Sequence, residues 1–169
     1  MINRFRRFAS IFLAVVLTFA MIVGCANSSY FEPTPLAEPD NAMVYVYRPG
    51  GSNPGKKPLV TSYPEILVDG ESVGMLKNKQ YLAVELAPGS REFVATGLTK
   101  DARWEPKDRM YSLKLEAGKS YFLRLGVEFD TSAMTIGSFR GQYIINLHNI
   151  EESDAVYEIR SLKNAALTN

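Results

Sequence analysis

A chain of 169 residues with 46% hydrophobic content has material for one core and its appendages. Its formal net charge is +1, but three of the 19 basic residues (Arg4, Arg6 and Arg7) precede Cys25, leaving 16 against 18 acidic ones in the remainder. That remainder lacks the clustered positive field that neutralises phosphates, which excludes nucleic acid as a partner. One cysteine and one histidine, His148, exclude an internal disulfide and a His/Cys metal cluster. No cofactor is expected.

Met1 to Arg7 is short and basic, and Phe8 to Gly24 is a weakly polar to apolar run of 17 residues. This is the grammar of a secretory signal, with an uncleaved spanning helix as the alternative, since about 20 apolar residues cross a bilayer. The end of the run decides between them. Ile22-Val23-Gly24-Cys25 resembles the bacterial lipobox, with Val23 where a smaller residue is usual. The resemblance implies that residues 1–24 are removed and that the Cys25 thiol carries a diacylglycerol thioether, a bond that serine could not make. Two or more acyl chains make a stable anchor at about 0.8 kcal/mol per buried CH₂. Ala26, rather than aspartate, follows the cysteine, and in a cell with two membranes this implies the outer membrane with the domain in the periplasm.

Ala26 to Asn41 contains three prolines and little apolar periodicity, so residues 25–41 read as the lipidated cysteine and a flexible tether. From Ala42 to Asn169 the texture is that of a β-rich domain. Met43 to Arg48 is β-branched and aromatic and stops at Pro49-Gly50-Gly51. Glu65 to Val68 and Ser72 to Leu76 flank Asp69-Gly70, a hairpin signal because both residues tolerate positive φ. Tyr81 to Leu86, Pro88-Gly89 and Arg91 to Ala95 read as a second hairpin. Met110 to Leu115, Ala117-Gly118-Lys119 and Ser120 to Val127 repeat the pattern, and Gly141 to His148 is a final strand. About eight short strands at short spacing predict an all-β, mainly antiparallel sandwich or partly open barrel. Ala155, Val156, Ile159 and Leu162 share one helical face, with Asn149 and Glu152, or Ser153, as caps; such a helix would shield a sheet edge.

Together these residues resemble a known group. The order of the lipobox, Val44-Tyr45-Val46-Tyr47-Arg48-Pro49, Val68-Asp69-Gly70 with Val73-Gly74, Tyr81, Pro88-Gly89 and Leu115 to Phe122 is similar to the bacterial lipoproteins grouped as domain of unknown function 2846. The resemblance covers Ala42 to Lys163 and implies an envelope lipoprotein with a β-rich domain. It carries no catalytic residues over. Lys79 stands where the family tends to have glycine, and Arg91 near the histidine that often follows Pro-Gly.

Candidate sites are few. His148 at a strand end is expected to be structural, Asp69 and Glu71 flank a turn that favours them, and Asp130 lacks the neighbouring ligands of a calcium loop. All nine tyrosines follow Cys25, so Tyr45 and Tyr47 are candidates for a glycan-stacking surface, against a half-buried packing role. Between two strands, Gly97 to Arg109 sets Trp104 among seven charges, Arg103 included. Trp104 with Arg103 is expected to anchor a recognition surface, against the alternative that the indole is a lid on the core. The expected function is a non-enzymatic, lipid-anchored scaffold for another envelope protein, with a small-ligand or peptidoglycan-binding module as the alternative.

Overall fold

The computed structural model describes residues 31–51, 59–102, 104, 108–130 and 142–167. Among these residues nine strands form two sheets. One has five strands, β1 (Ala42–Arg48), β4 (Gln80–Leu86), β7 (Ser120–Asp130), β8 (Gln142–Ile150) and the two-residue β9 (Lys163–Asn164), in the order β8-β7-β1-β4-β9. The other has four, β2 (Glu65–Val68), β3 (Glu71–Met75), β5 (Gly89–Thr96) and β6 (Arg109–Leu115), in the order β3-β2-β5-β6. The architecture is an all-β sandwich with one helix near the end, α1 (Glu152–Ile159). Most pairings are antiparallel, but β1 lies parallel to β7, and β4 to β9.

β1 explains the layering. Every residue of it is buried, because its two faces enter two different cores. Ala42, Val44 and Val46 point between the sheets with Ile66, Phe93, Leu115, Leu123 and Ile145. Met43, Tyr45 and Tyr47 point the other way, where Phe122 and the apolar stripe of α1, Ala155 and Ile159, meet them. The helix therefore covers the outer face of the five-stranded sheet, not a sheet edge. A row of aromatic and sulfur side chains on β1 would otherwise lie in water, and an amphipathic helix removes it. Leu162 joins that cluster from beyond the helix end. The expected caps are not used: Asn149 belongs to β8, and Glu151 starts the helix without a side-chain hydrogen bond.

Turn chemistry gave the chain reversals but not always the pairing. Asp69 (φ 51°) and Gly70 (φ 88°) form a true two-residue hairpin between β2 and β3, both at the positive φ such a turn needs. The turn at Pro88-Gly89 joins no pair, since β4 lies in one sheet and β5 in the other. The same holds at Ala117-Gly118-Lys119, between β6 and β7. Both are arches across the sandwich, and the hairpins expected there are replaced by β5 against β6 and β7 against β1 and β8.

The tether also differs from expectation. From Phe31 the chain is strapped to the outer face of the five-stranded sheet. The Phe31 ring meets Tyr45 and Tyr81 edge-on at centroid distances of 5.0 and 5.5 Å. Thr34 N–H donates to the Tyr45 hydroxyl (2.6 Å). Glu85 accepts the Ala37 and Glu38 N–H groups, each at 2.8 Å, and the Asn41 side-chain amide at 3.0 Å. The compact unit begins at Phe31, and of the residues expected to be tether, Phe31 and Leu36 pack against its second core.

Candidate functional site

Cys25 and Arg103 lie outside the described residues. The other predicted site residues are in the interior. Trp104 is 5% exposed and belongs to the core between the sheets. Gly97 makes room for it: a Cβ there would stand 1.9 Å from the indole nitrogen. This corrects the recognition reading of Trp104 in favour of the lid. Burying an indole removes a large apolar area from water, and Lys100, Asp101 and Asp108 nearby in sequence stay exposed. Tyr45 and Tyr47 are fully buried beneath the strap and α1, so they form no glycan-stacking surface.

The departures from the family pattern find local reasons. Lys79 has φ 59°, a conformation in which glycine is at ease. Arg91 is ion-paired with Asp69 (2.9 Å) and donates to the Ala87 carbonyl, tying the β2–β3 turn to the arch at Pro88. Asp69 also accepts the Glu92 N–H, and these bonds hold its carboxyl below the usual carboxylate range.

Sequence reasoning passed over two polar groups. Arg48 follows Ala42, Val44 and Val46 on the inward register of β1 and is 1% exposed. Its guanidinium donates to the Ser62 carbonyl (2.6 Å) and the Leu59 carbonyl (2.7 Å), and burial brings it down to about 10. It pins the end of the β1–β2 connection. The inward register of an arginine was the available signal.

The second group crosses the outer face of the five-stranded sheet. Asn164, Tyr81, Tyr47, Arg124 and His148 are successive cross-strand neighbours, one from each strand. Glu158 of α1 comes down on the row: the Tyr47 hydroxyl donates to it (2.9 Å), and so does Arg124 Nε (2.9 Å). Arg124 Nη1 lies 4.0 Å from Glu128 and passes over Gly126, where a Cβ would stand 3.1 Å away. Burial, followed by the Glu158 bond, pushes the Tyr47 phenol far above its ordinary value, so it remains a donor. Beside this group a cleft of about 420 Å³ is lined by Arg124, Ile150, Asp154, Tyr157 and Glu158. Its arginine and Glu158 are engaged with each other and with Tyr47, which clamps the helix to the sheet. No group of three or more His, Cys, Asp or Glu residues that could hold a metal occurs among the described residues.

The outer face of the four-stranded sheet has a different character. Ser72, Leu67, Val94 and Met110 form one cross-strand row, and Met75 stands opposite Glu65 in the next. Met110 is 60% exposed and Met75 38%, while Val94, 8% exposed, belongs to neither core. Thr96 and Glu65 border the row on one side, Glu92 and Ser112 on the other. A flat apolar row with a polar border, carrying adaptable methionines, has the composition of a protein-docking surface.

No curated protein and no solved structure matches the chain. A family model does, over residues 38–139, more than half of the chain and a stretch that holds β1 to β7 but neither β8 nor α1. On that match the chain belongs to the family described as "Protein of unknown function (DUF2846)".

Proposed function

We propose that this protein is a non-enzymatic, lipid-anchored component of the bacterial cell envelope, whose domain holds a partner protein on the open face of its four-stranded sheet. In a cell with two membranes the anchor lies in the outer membrane and the domain in the periplasm. The observation that carries the docking part is the row Leu67, Val94 and Met110, with Met75 beside it, in which Met110 and Met75 stand exposed on the two edge strands. The other sheet's outer face is occupied by the chain's own strap and helix. Anchoring is supported by the lipobox-like Ile22-Val23-Gly24-Cys25. A scaffold rather than a catalyst is supported by the Arg124 cleft, whose main charged groups are spent on holding α1.

The test is photo-cross-linking in intact cells, with a photoreactive amino acid at Met110 and, as the comparison, at exposed Ser161 beyond α1. A discrete adduct with one envelope protein from position 110, absent from 161, is expected. Adducts confined to glycan strands, or none from position 110, would overturn the docking reading; an adduct with a second copy would make the face a self-association surface.

A further inference from the structure

We infer that the end of the domain where the strap begins, bearing Lys79, Arg160 and Lys163, faces the anchoring bilayer and binds anionic lipid headgroups, an inference that rests on the anchoring proposed above. The first argument is reach. Five residues, Ala26 to Tyr30, separate Cys25 from Phe31. Six backbone steps span at most about 20 Å when fully extended. With Phe31 to Asn41 docked instead of loose, the lipid holds a short leash whose attachment point on the domain is fixed.

That attachment point is specific. Phe31 N–H donates to the Arg160 carbonyl (3.3 Å), and its ring is held by Tyr45, Tyr81 and Phe122. Just beyond Arg160, Lys163 N–H donates to the Lys79 carbonyl (3.1 Å) as β9 pairs with β4. Arg160, Lys163 and Lys79 are all exposed, and none makes an ion pair among the described residues. The Arg160 guanidinium lies 3.9 Å from the centroid of the exposed Tyr157 ring, a cation and an amphipathic aromatic side by side. The carboxylate on the strap at this end is Glu32; Glu151, Glu152 and Asp154 gather at the start of α1, and Glu158 near its end is taken up by Tyr47 and Arg124.

The helix dipole accounts for a cation at Arg160 but not for Lys79 or Lys163, which lie on the β4–β9 side. A negatively charged surface within the leash accounts for all three. Each cation near an anionic leaflet shifts the bound population by roughly fivefold, and the effect fades within a Debye length.

If Cys25 is occupied by lipid, one introduced cysteine can be labelled uniquely. The full chain, lipidated in a bacterial host and reconstituted into vesicles, would carry a fluorophore on Lys163→Cys or, separately, on Met110→Cys, with a quencher on a small fraction of headgroups. Phosphatidylcholine vesicles are compared with vesicles rich in phosphatidylglycerol. Quenching at 163 should rise in the anionic vesicles, stay unchanged at 110, and fall back with Lys79→Glu plus Arg160→Glu or in high salt. Should the label at 163 impair folding, Lys79→Cys replaces it, with Lys163→Glu plus Arg160→Glu as the charge reversal. Protein that floats with both vesicles but shows equal quenching at 163 overturns this inference alone. Protein that carries no acyl chain and does not float overturns the anchoring reading and this inference with it.

Discussion

Trp104 shows what a residue's chemical neighbourhood in sequence does and does not reveal. Seven charges surround it between Gly97 and Arg109, a setting equally suited to an exposed anchor and to a lid whose rim must stay wet. Contact with Gly97, seven residues upstream, decides in favour of the lid, and such a contact is not written in composition. Trp104→Ala should therefore cost about 3 to 5 kcal/mol of stability in denaturant melts, as loss of a buried aromatic does. Gly97→Ala should cost about 1 to 3 kcal/mol, since its new methyl group would overlap the indole. A loss under about 0.5 kcal/mol for both, the usual range of an exposed site, would contradict the packing. Cys25 lies outside the described residues, and the lipidation proposed for it rests on its flanking sequence alone. Cys25→Ser should abolish incorporation of labelled palmitate and release the protein from the membrane fraction; equal labelling of the mutant would dismiss the lipid anchor.

Elements were legible as elements, and less so as partners. The strand segments read from alternation and turn residues all correspond to strands, with ends shifted by up to three residues, because β-branched and aromatic runs and turn signals act locally. Pro88-Gly89 and Gly118 mark reversals equally well in a hairpin or in an arch between sheets, so the choice rests on long-range packing that local chemistry does not encode. The strap was hidden for a related reason. Prolines and polar residues describe a segment without its own regular structure, yet Phe31 and Leu36 pack on the second core and Glu85 gathers three donors from it. Those donors, the Ala37 N–H first, hold the Glu85 carboxyl below its ordinary range. A carboxylate with a depressed folded-state value contributes above the free value of about 4.3, and its contribution is lost as pH falls through the lower one. Hydrogen exchange at the Ala37 and Glu38 amides should be slow near pH 6 and accelerate, relative to the intrinsic rate, as the pH falls below about 4. Glu85→Gln should show weakened protection already near pH 6. Protection unchanged in the variant would show that the strap is held by Phe31 and Leu36 alone.

At the scale of the described residues the two sheets differ in their outer faces. The five-stranded sheet is covered by the chain itself: strap, α1 and the row from Asn164 to His148 with Glu158 above it. The four-stranded sheet presents its outer face bare at Met110 and Met75. Sequence patterning predicted a sandwich but could not say which outer face would be covered, since strand alternation alone does not separate Tyr45 on β1, a candidate for an exposed stacking surface that is buried, from Met110 on β6, which is exposed. The measurement closest to the central proposal is purification of the full chain from the membrane fraction of its native host, with Met110→Asp set beside the unaltered protein. A carboxylate at the edge-strand end of that row should reduce co-purification of a docked partner at least about tenfold, the effect of burying an unpaired charge. The melting temperature should stay within about 4 °C, because the substituted side chain is solvent-exposed. Undiminished co-purification by a variant that folds and melts like the unaltered protein would contradict the docking face.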